Sequence, residues 1–147
     1  MAKPRDKLPS LRKSAGTAAA RSGAVPVPEK ADATPEALAR WCARASFEKK
    51  AEDVQILDLR DVSAVCDFFV LITGTSEAHV WSLAEWVRTR LLDVHGVGPW
   101  HVEGAAGRRW ILLDYVHWVV HVFHRETREY YQLERLWGDA PGETLKP

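Results

Sequence analysis

Residues 110–123 read Trp-Ile-Leu-Leu-Asp-Tyr-Val-His-Trp-Val-Val-His-Val-Phe. Apolar and β-branched residues dominate this run, which predicts two strands, 108–114 and 118–124, in a sheet core. The connection at 115–117 is very short and holds no Gly or Asn, so its turn type stays open. Asp114, His117 and His121 interrupt the apolar pattern. Polar groups are costly in a core unless they find partners or reach a surface. They mark a catalytic centre, a metal site or a docking face.

Outward from this hairpin, residues 67–74 form a second apolar run, Asp-Phe-Phe-Val-Leu-Ile-Thr-Gly. An uninterrupted run of this kind suits a central strand covered on both faces. Gly74-Thr75-Ser76 then turns into a helix with Thr75 or Ser76 as N-cap. Val80, Leu83, Ala84, Val87 and Leu91 line one face of that helix, with Trp81 and Trp86 about 100° to either side, sealing its edges. Gly96 and Gly98-Pro99 end it. A short strand at 100–103 and a turn at 104–107 lead into the hairpin. The helix between 74 and 96 provides for one βαβ crossover from the strand at 67–73 to that at 100–103.

Earlier in the chain, Thr34-Pro35-Glu36 is a helix start. Thr34 suits the N-cap, Pro35 the first helical position, and Glu36 the positive end of the dipole. The helix runs to about Lys50 with Leu38, Trp41, Cys42 and Ala45 inward. Val54–Leu59 alternates and predicts a strand. A short helix is expected at 130–137 with Leu133, Leu136 and Trp137 inward. These elements predict an α+β fold with a mixed β-sheet and helices packed on it. The domain spans 34–138. Residues 1–33, rich in Ala, Pro, Lys and Arg, are expected to be disordered. Residues 139–147 are expected to form a flexible tail.

The full chain of 147 residues is neutral, with 20 basic and 20 acidic side chains. Residues 1–33 carry seven Lys or Arg against three acids, a net +4, leaving −4 on the remainder. That balance disfavours a general nucleic-acid binder. Cys42 and Cys66 are isolated and predict buried thiols in a reducing compartment. No apolar stretch of about 18 residues occurs, so no membrane span is expected.

The candidate chemistries meet unequal support. At strand spacing, His117 and His121 share a face with Phe123. A metal would need a third ligand such as Asp114 or Glu103, and no HxH, HExxH or CxxC is present. A hydrogen-bonded core or interface histidine is the plainer reading. The Gly74-Thr75-Ser76 turn could hold a phosphate at a helix N-terminus, but no Walker pattern or GxGxxG accompanies it. Metal-assisted phosphoryl transfer needs paired carboxylates, and the apolar strands offer Asp114 alone. Seven tryptophans, many for a small domain, point instead to a surface. Trp110, Asp114 and Tyr115 make a docking patch of aromatic anchors with one carboxylate, unless Trp110 is simply core.

Eight segments together carry a recognisable pattern. They are Lys50-Ala-Glu-Asp53, Asp67-Phe-Phe-Val70, Thr73-Gly-Thr-Ser76, His79-Val80, Val102-Glu-Gly104, Trp110-Ile-Leu-Leu-Asp-Tyr115, Val119-Val-His-Val-Phe123 and Tyr130-Tyr-Gln-Leu-Glu-Arg-Leu-Trp137. Over roughly 35–138 the chain resembles the ribosomal silencing factor (RsfS, or Iojap) family. The resemblance implies a nucleotidyltransferase-like fold without the catalytic site, and a protein with no enzyme activity and no cofactor. It implies binding to the large ribosomal subunit through large-subunit protein fourteen, a block on subunit joining, and repression of translation under nutrient limitation. It implies partner contacts at Trp110, Ile111, Leu112, Asp114, Tyr115 and His121. It also implies a bacterial cytoplasmic protein, an organelle being the alternative. Phe68 replaces a common Tyr, Ala78 a common Arg or Gln, and Val116-His117 a common Gly-Asp. His117 in place of an acid alters the charge of the contact and would make it pH-sensitive. The basic tail is outside the pattern and is expected to touch ribosomal RNA through phosphates. An exposed aromatic strand would also allow a homodimer when free.

Overall fold

The computed structural model describes residues 34–147; the expected disorder of 1–33 lies outside the described residues. The first helix, α1 (Pro35–Ser46), starts as its sequence predicts. Thr34 is extended, and its hydroxyl accepts from Ala37 N–H. A 3₁₀ turn at Phe47–Lys49 follows and ends on Lys50 at φ 63°. Then come β1 (Glu52–Asp58), β2 (Phe68–Gly74) and α2 (Glu77–His95). Next are β3 (His101–Glu103), β4 (Trp110–Asp114) and β5 (Trp118–His124). The chain closes with α3 (Arg125–Tyr131), α4 (Leu133–Leu136) and β6 (Gly142–Thr144).

The six strands form one mixed sheet in the order β3-β4-β5-β2-β1-β6. The expected α+β fold is what the chain adopts. β2 and β5 lie parallel at its centre, with Phe69 opposite Val119 and Leu71 opposite His121. The crossover from β2 through α2 therefore reaches its parallel partner at β5, not at β3 as expected. The β3–β4 hairpin sits inside the connection and forms the sheet margin.

Both sheet faces are covered, which is why β2, β4 and β5 read as unbroken apolar runs. One face packs Ile111, Leu113, Trp118, Val120, Val122, Val70 and Ile72 against Leu38 and Cys42 of α1 and Val80, Leu83 and Val87 of α2. The opposite face packs Trp110, Leu112, Val119, Phe123, Phe69 and Leu71 against Leu133, Tyr131, Trp137 and Ala140. Each large apolar side chain so enclosed contributes about 1.5–3 kcal/mol. Trp86 seals one flank of α2 by donating to Ala45 O (3.1 Å). Trp81, expected to seal the other, stays 39% exposed.

Three expectations at the C-terminus are corrected. The single helix at 130–137 is two short helices, α3 and α4, broken where Gln132 turns left-handed at φ 48°. Leu133 is buried as expected, but Leu136 is 45% exposed. The flexible tail at 139–147 is partly strand. β6 pairs with β1, Leu145 N–H bonds to Val54 O, and the Leu145 side chain is buried in the helix-side core.

Candidate functional site

The hairpin of β4 and β5 carries the residues expected to form the site. Their burial decides what they can do. Trp110 is 8% exposed, Ile111 1%, Leu112 0%, Asp114 2%, Tyr115 3% and His121 0%. None of the six presents an open contact surface in the free chain; all belong to the framework beneath the sheet margin. Ile111 and Tyr115 face the helices α1 and α2, while Trp110, Leu112 and His121 face the C-terminal segment.

Trp110 and His121 are joined. The Trp110 indole N–H donates to His121 Nδ1 (3.1 Å). The imidazole therefore carries its proton on Nε2. The ring stands edge-on to Phe69, with centroids 4.5 Å apart. Full enclosure disfavours the imidazolium and pushes the His121 pKa down to about 3. At neutral pH His121 is a neutral acceptor inside an aromatic cluster.

Asp114 is the turn-builder the sequence lacked in Gly or Asn. Its Oδ1 accepts from Val116 N–H (2.8 Å), closing a local side-chain-to-backbone turn. His117 N–H bonds to Tyr115 O and Tyr115 N–H to Trp118 O. Val116 at the apex has φ 77°, a left-handed conformation that is unusual for a β-branched residue. The carboxylate expected to meet a basic partner is thus engaged within the turn.

The metal arrangement does not form. His117 sits in the turn, 54% exposed at its side chain and 3.9 Å from an Asp67 oxygen, whereas His121 is enclosed. Among the described residues no group of three His, Cys, Asp or Glu is placed to hold a metal ion. The two thiols are buried, and burial pushes both up to about 12.

The turn before α2 is filled from within. Ser76 caps the helix, its hydroxyl accepting from His79 N–H (3.1 Å). Thr75 N–H, a donor a phosphate would need, goes to His79 Nδ1 (2.9 Å). His79 Nε2 lies 2.7 Å from Lys49 O, which makes it the donor and Nδ1 the acceptor. The imidazole occupies the place of an anion and ties the turn to the end of the 3₁₀ segment. Gly74 permits the close approach: a Cβ there would lie 3.0 Å from Val80 N.

A cleft of about 600 Å³ opens where β2 and β5 end, lined by Glu52, Asp53, Thr73, Arg125, Arg128 and Glu134 among others. Its cations are engaged. Arg125 pairs with Glu52 (2.6 Å). Arg128, 4% exposed, binds Glu134 (3.1 Å), Thr73 Oγ1 (2.6 Å) and Asp53 O. Sequence reasoning missed Arg128, because no local pattern separates a buried arginine from its solvated neighbours. It locks α3 to the ends of β1 and β2.

The sequence and fold are similar to those of known proteins. The family described as "Ribosomal silencing factor during starvation" matches residues 31–147. The ribosomal silencing factor RsfS of Bacillus subtilis is 39% identical over 106 residues, covering 72% of this chain and 89% of its own. The chloroplast protein Iojap of Zea mays is 30% identical over 141 residues, covering 90% of this chain and 59% of its own. A solved structure from Chromobacterium violaceum superposes with a TM-score of 0.68 at 29% identity, covering 78% of this chain and 90% of that one. One from Bacillus halodurans does so at 0.62 and 34% identity, covering 76% and 99%. With the expected segments in order on the expected mixed sheet, the chain belongs to the ribosomal silencing factor (RsfS/Iojap) family.

Proposed function

We propose that this protein docks on the large ribosomal subunit through large-subunit protein fourteen, obstructs joining of the small subunit, and so represses translation when nutrients are short. Family membership carries the ribosome-associated, translation-silencing role and is the observation on which the reading stands. A steric block needs a docked domain and no turnover, so the protein acts without catalysis. The filled turn at His79 and the internally paired cations of the cleft agree with that. Its bacterial relatives support a bacterial cytoplasmic setting.

The docking margin we propose is the β3–β4 side of the sheet. Trp110, Ile111, Leu112, Asp114, Tyr115 and His121 hold its shape from beneath, and His101, Val102 and Glu103 of the edge strand make the contact. What supports this is exposure: Val102 is 40% exposed on the strand that ends the sheet order. The same edge would pair two copies in a free homodimer. The basic 1–33 segment adds a phosphate contact.

The test is co-sedimentation of the Val102→Asp protein with purified large subunits. Wild type is expected in the subunit fraction and the variant not, at unchanged melting temperature. Wild type remaining free would remove the ribosomal assignment. A variant that still co-sediments would remove β3 from the contact.

A further inference from the structure

Two groups of cations stand out in the described domain. Arg40, Arg60, Arg88, Arg109, Arg125 and Arg128 each lie within 4.0 Å of a carboxylate oxygen. Such pairing orders a side chain and cancels its charge. Lys49, Arg90 and Arg108 have no carboxylate partner among the described residues. They are ordered by aromatic rings. Lys49 Nζ stands 4.4 Å from the Trp86 ring centre and the Arg90 guanidinium 5.5 Å from it. The Arg108 guanidinium stands 5.1 Å from the Trp81 ring centre. A ring quadrupole holds a cation in place without neutralising it.

Trp81 and Trp86 lie on opposite flanks of α2, so the three cations bracket its outer face. That face is modest between them: Ala78, Ser82, Thr89, and Glu85, which is already paired with Arg88 (2.8 Å). Lys50, exposed beside Lys49, adds a fourth positive group. Two acids share the surface, Glu48 and Asp93, and neither forms an ion pair among the described residues. The outer face of α2 is therefore net positive on a domain that is net negative. Fixed, uncancelled cations on both sides of a helix suit a polyanion whose charges recur along its length.

We propose that the outer face of α2, with Lys49, Arg90 and Arg108, is a second docking surface that grips ribosomal RNA phosphates. It rests on the large-subunit reading above. The β3 margin supplies the protein contact, and α2 supplies the electrostatic one on an adjoining side of the sheet. Each indole already holds a cation against its ring, and the charge those cations keep makes phosphate contact the mode. This explains how a domain of net charge −4 can approach an RNA surface.

Affinity of the full chain for large subunits, measured across a potassium chloride series, tests this. Each phosphate contact contributes about 0.7–0.9 to the slope of log affinity against log salt. The triple variant Lys49→Gln, Arg90→Gln, Arg108→Gln is expected to bind more weakly, with a slope smaller by about 2–3. A photo-crosslinking residue at the exposed position 78 is expected to label RNA in the bound complex. Wild-type binding with the same slope in the triple variant would overturn the proposal, as would crosslinks to ribosomal protein alone. Wild type that fails to bind the subunit at any salt would overturn both this and the reading it rests on.

Discussion

Acidification from pH 7 to pH 5 is expected to destabilise this domain through His121. Its folded pKa lies near 3 because the ring is fully enclosed. Unfolded, the same imidazole titrates near 6.5. The folded value is the depressed one, so the contribution is whole above pH 6.5 and is lost progressively as pH falls toward 3. The loss is about 1.4 kcal/mol per pH unit in that window, or about 2 kcal/mol between pH 7 and pH 5. Against a typical total of about 5–15 kcal/mol, that is a large fraction. Asp58 and Glu143, held below the usual carboxylate range by Arg60 and Arg40, also weaken in acid. They begin to matter only near their unfolded values of about 4. The assay is urea unfolding at pH 7, 6 and 5 on wild type and His121→Gln. Wild type should lose about 2 kcal/mol and the variant, though less stable at pH 7, should stay nearly level. Equal losses in the two proteins, or a wild type indifferent to pH over this range, would refute the argument.

Three further outcomes follow from the backbone and the tail. Val116→Gly should raise stability by about 0.5–1 kcal/mol in thermal or urea unfolding, since relief at φ 77° exceeds the entropy lost with glycine. Gly104→Ala should cost about 3 kcal/mol or more and leave little soluble protein, because a Cβ there would lie 1.9 Å from Trp110 O at φ 83°. Ending the chain at residue 141 should lower stability by at least about 2 kcal/mol, through exposure of β1 and loss of the buried Leu145 side chain. A truncation that melts with wild type would return 142–147 to the status of a tail.

Much of the fold was legible because its signals are local. Thr34-Pro35 and Ser76 mark helix starts through capping, and the apolar runs at 68–74 and 110–123 announce strands covered on both faces. The parallel partner of β2 was not legible, because register between distant strands is settled by packing across the sheet. The last helix was misplaced for a similar reason. Arg125–Tyr131 carries little apolar periodicity and is fastened by the buried Arg128, while the left-handed Gln132 splits it from Leu133. The hairpin stood out in the sequence, while the burial of its polar groups did not. Asp114, His117 and His121 stood out as polar interruptions of an apolar run; Asp114 and His121 are buried, and His117 is exposed in the turn. Asp114 meets the cost of burial with a turn amide and His121 Nδ1 with the Trp110 indole N–H, while the buried His121 Nε2 has no hydrogen-bond partner among the described residues. Spacing reports that polar groups share a face; it does not report that another element lies over them. Trp110→Ala is accordingly expected to cost about 3–5 kcal/mol in stability, too much for a clean binding probe.

The most direct test of the central claim is reassociation of separated ribosomal subunits in the presence of the purified protein, read by sucrose-gradient sedimentation. At saturating protein the joined-ribosome peak should fall, with the protein travelling on the large subunit and absent from the small. An undiminished joined peak, with the large subunit fully occupied, would contradict the account.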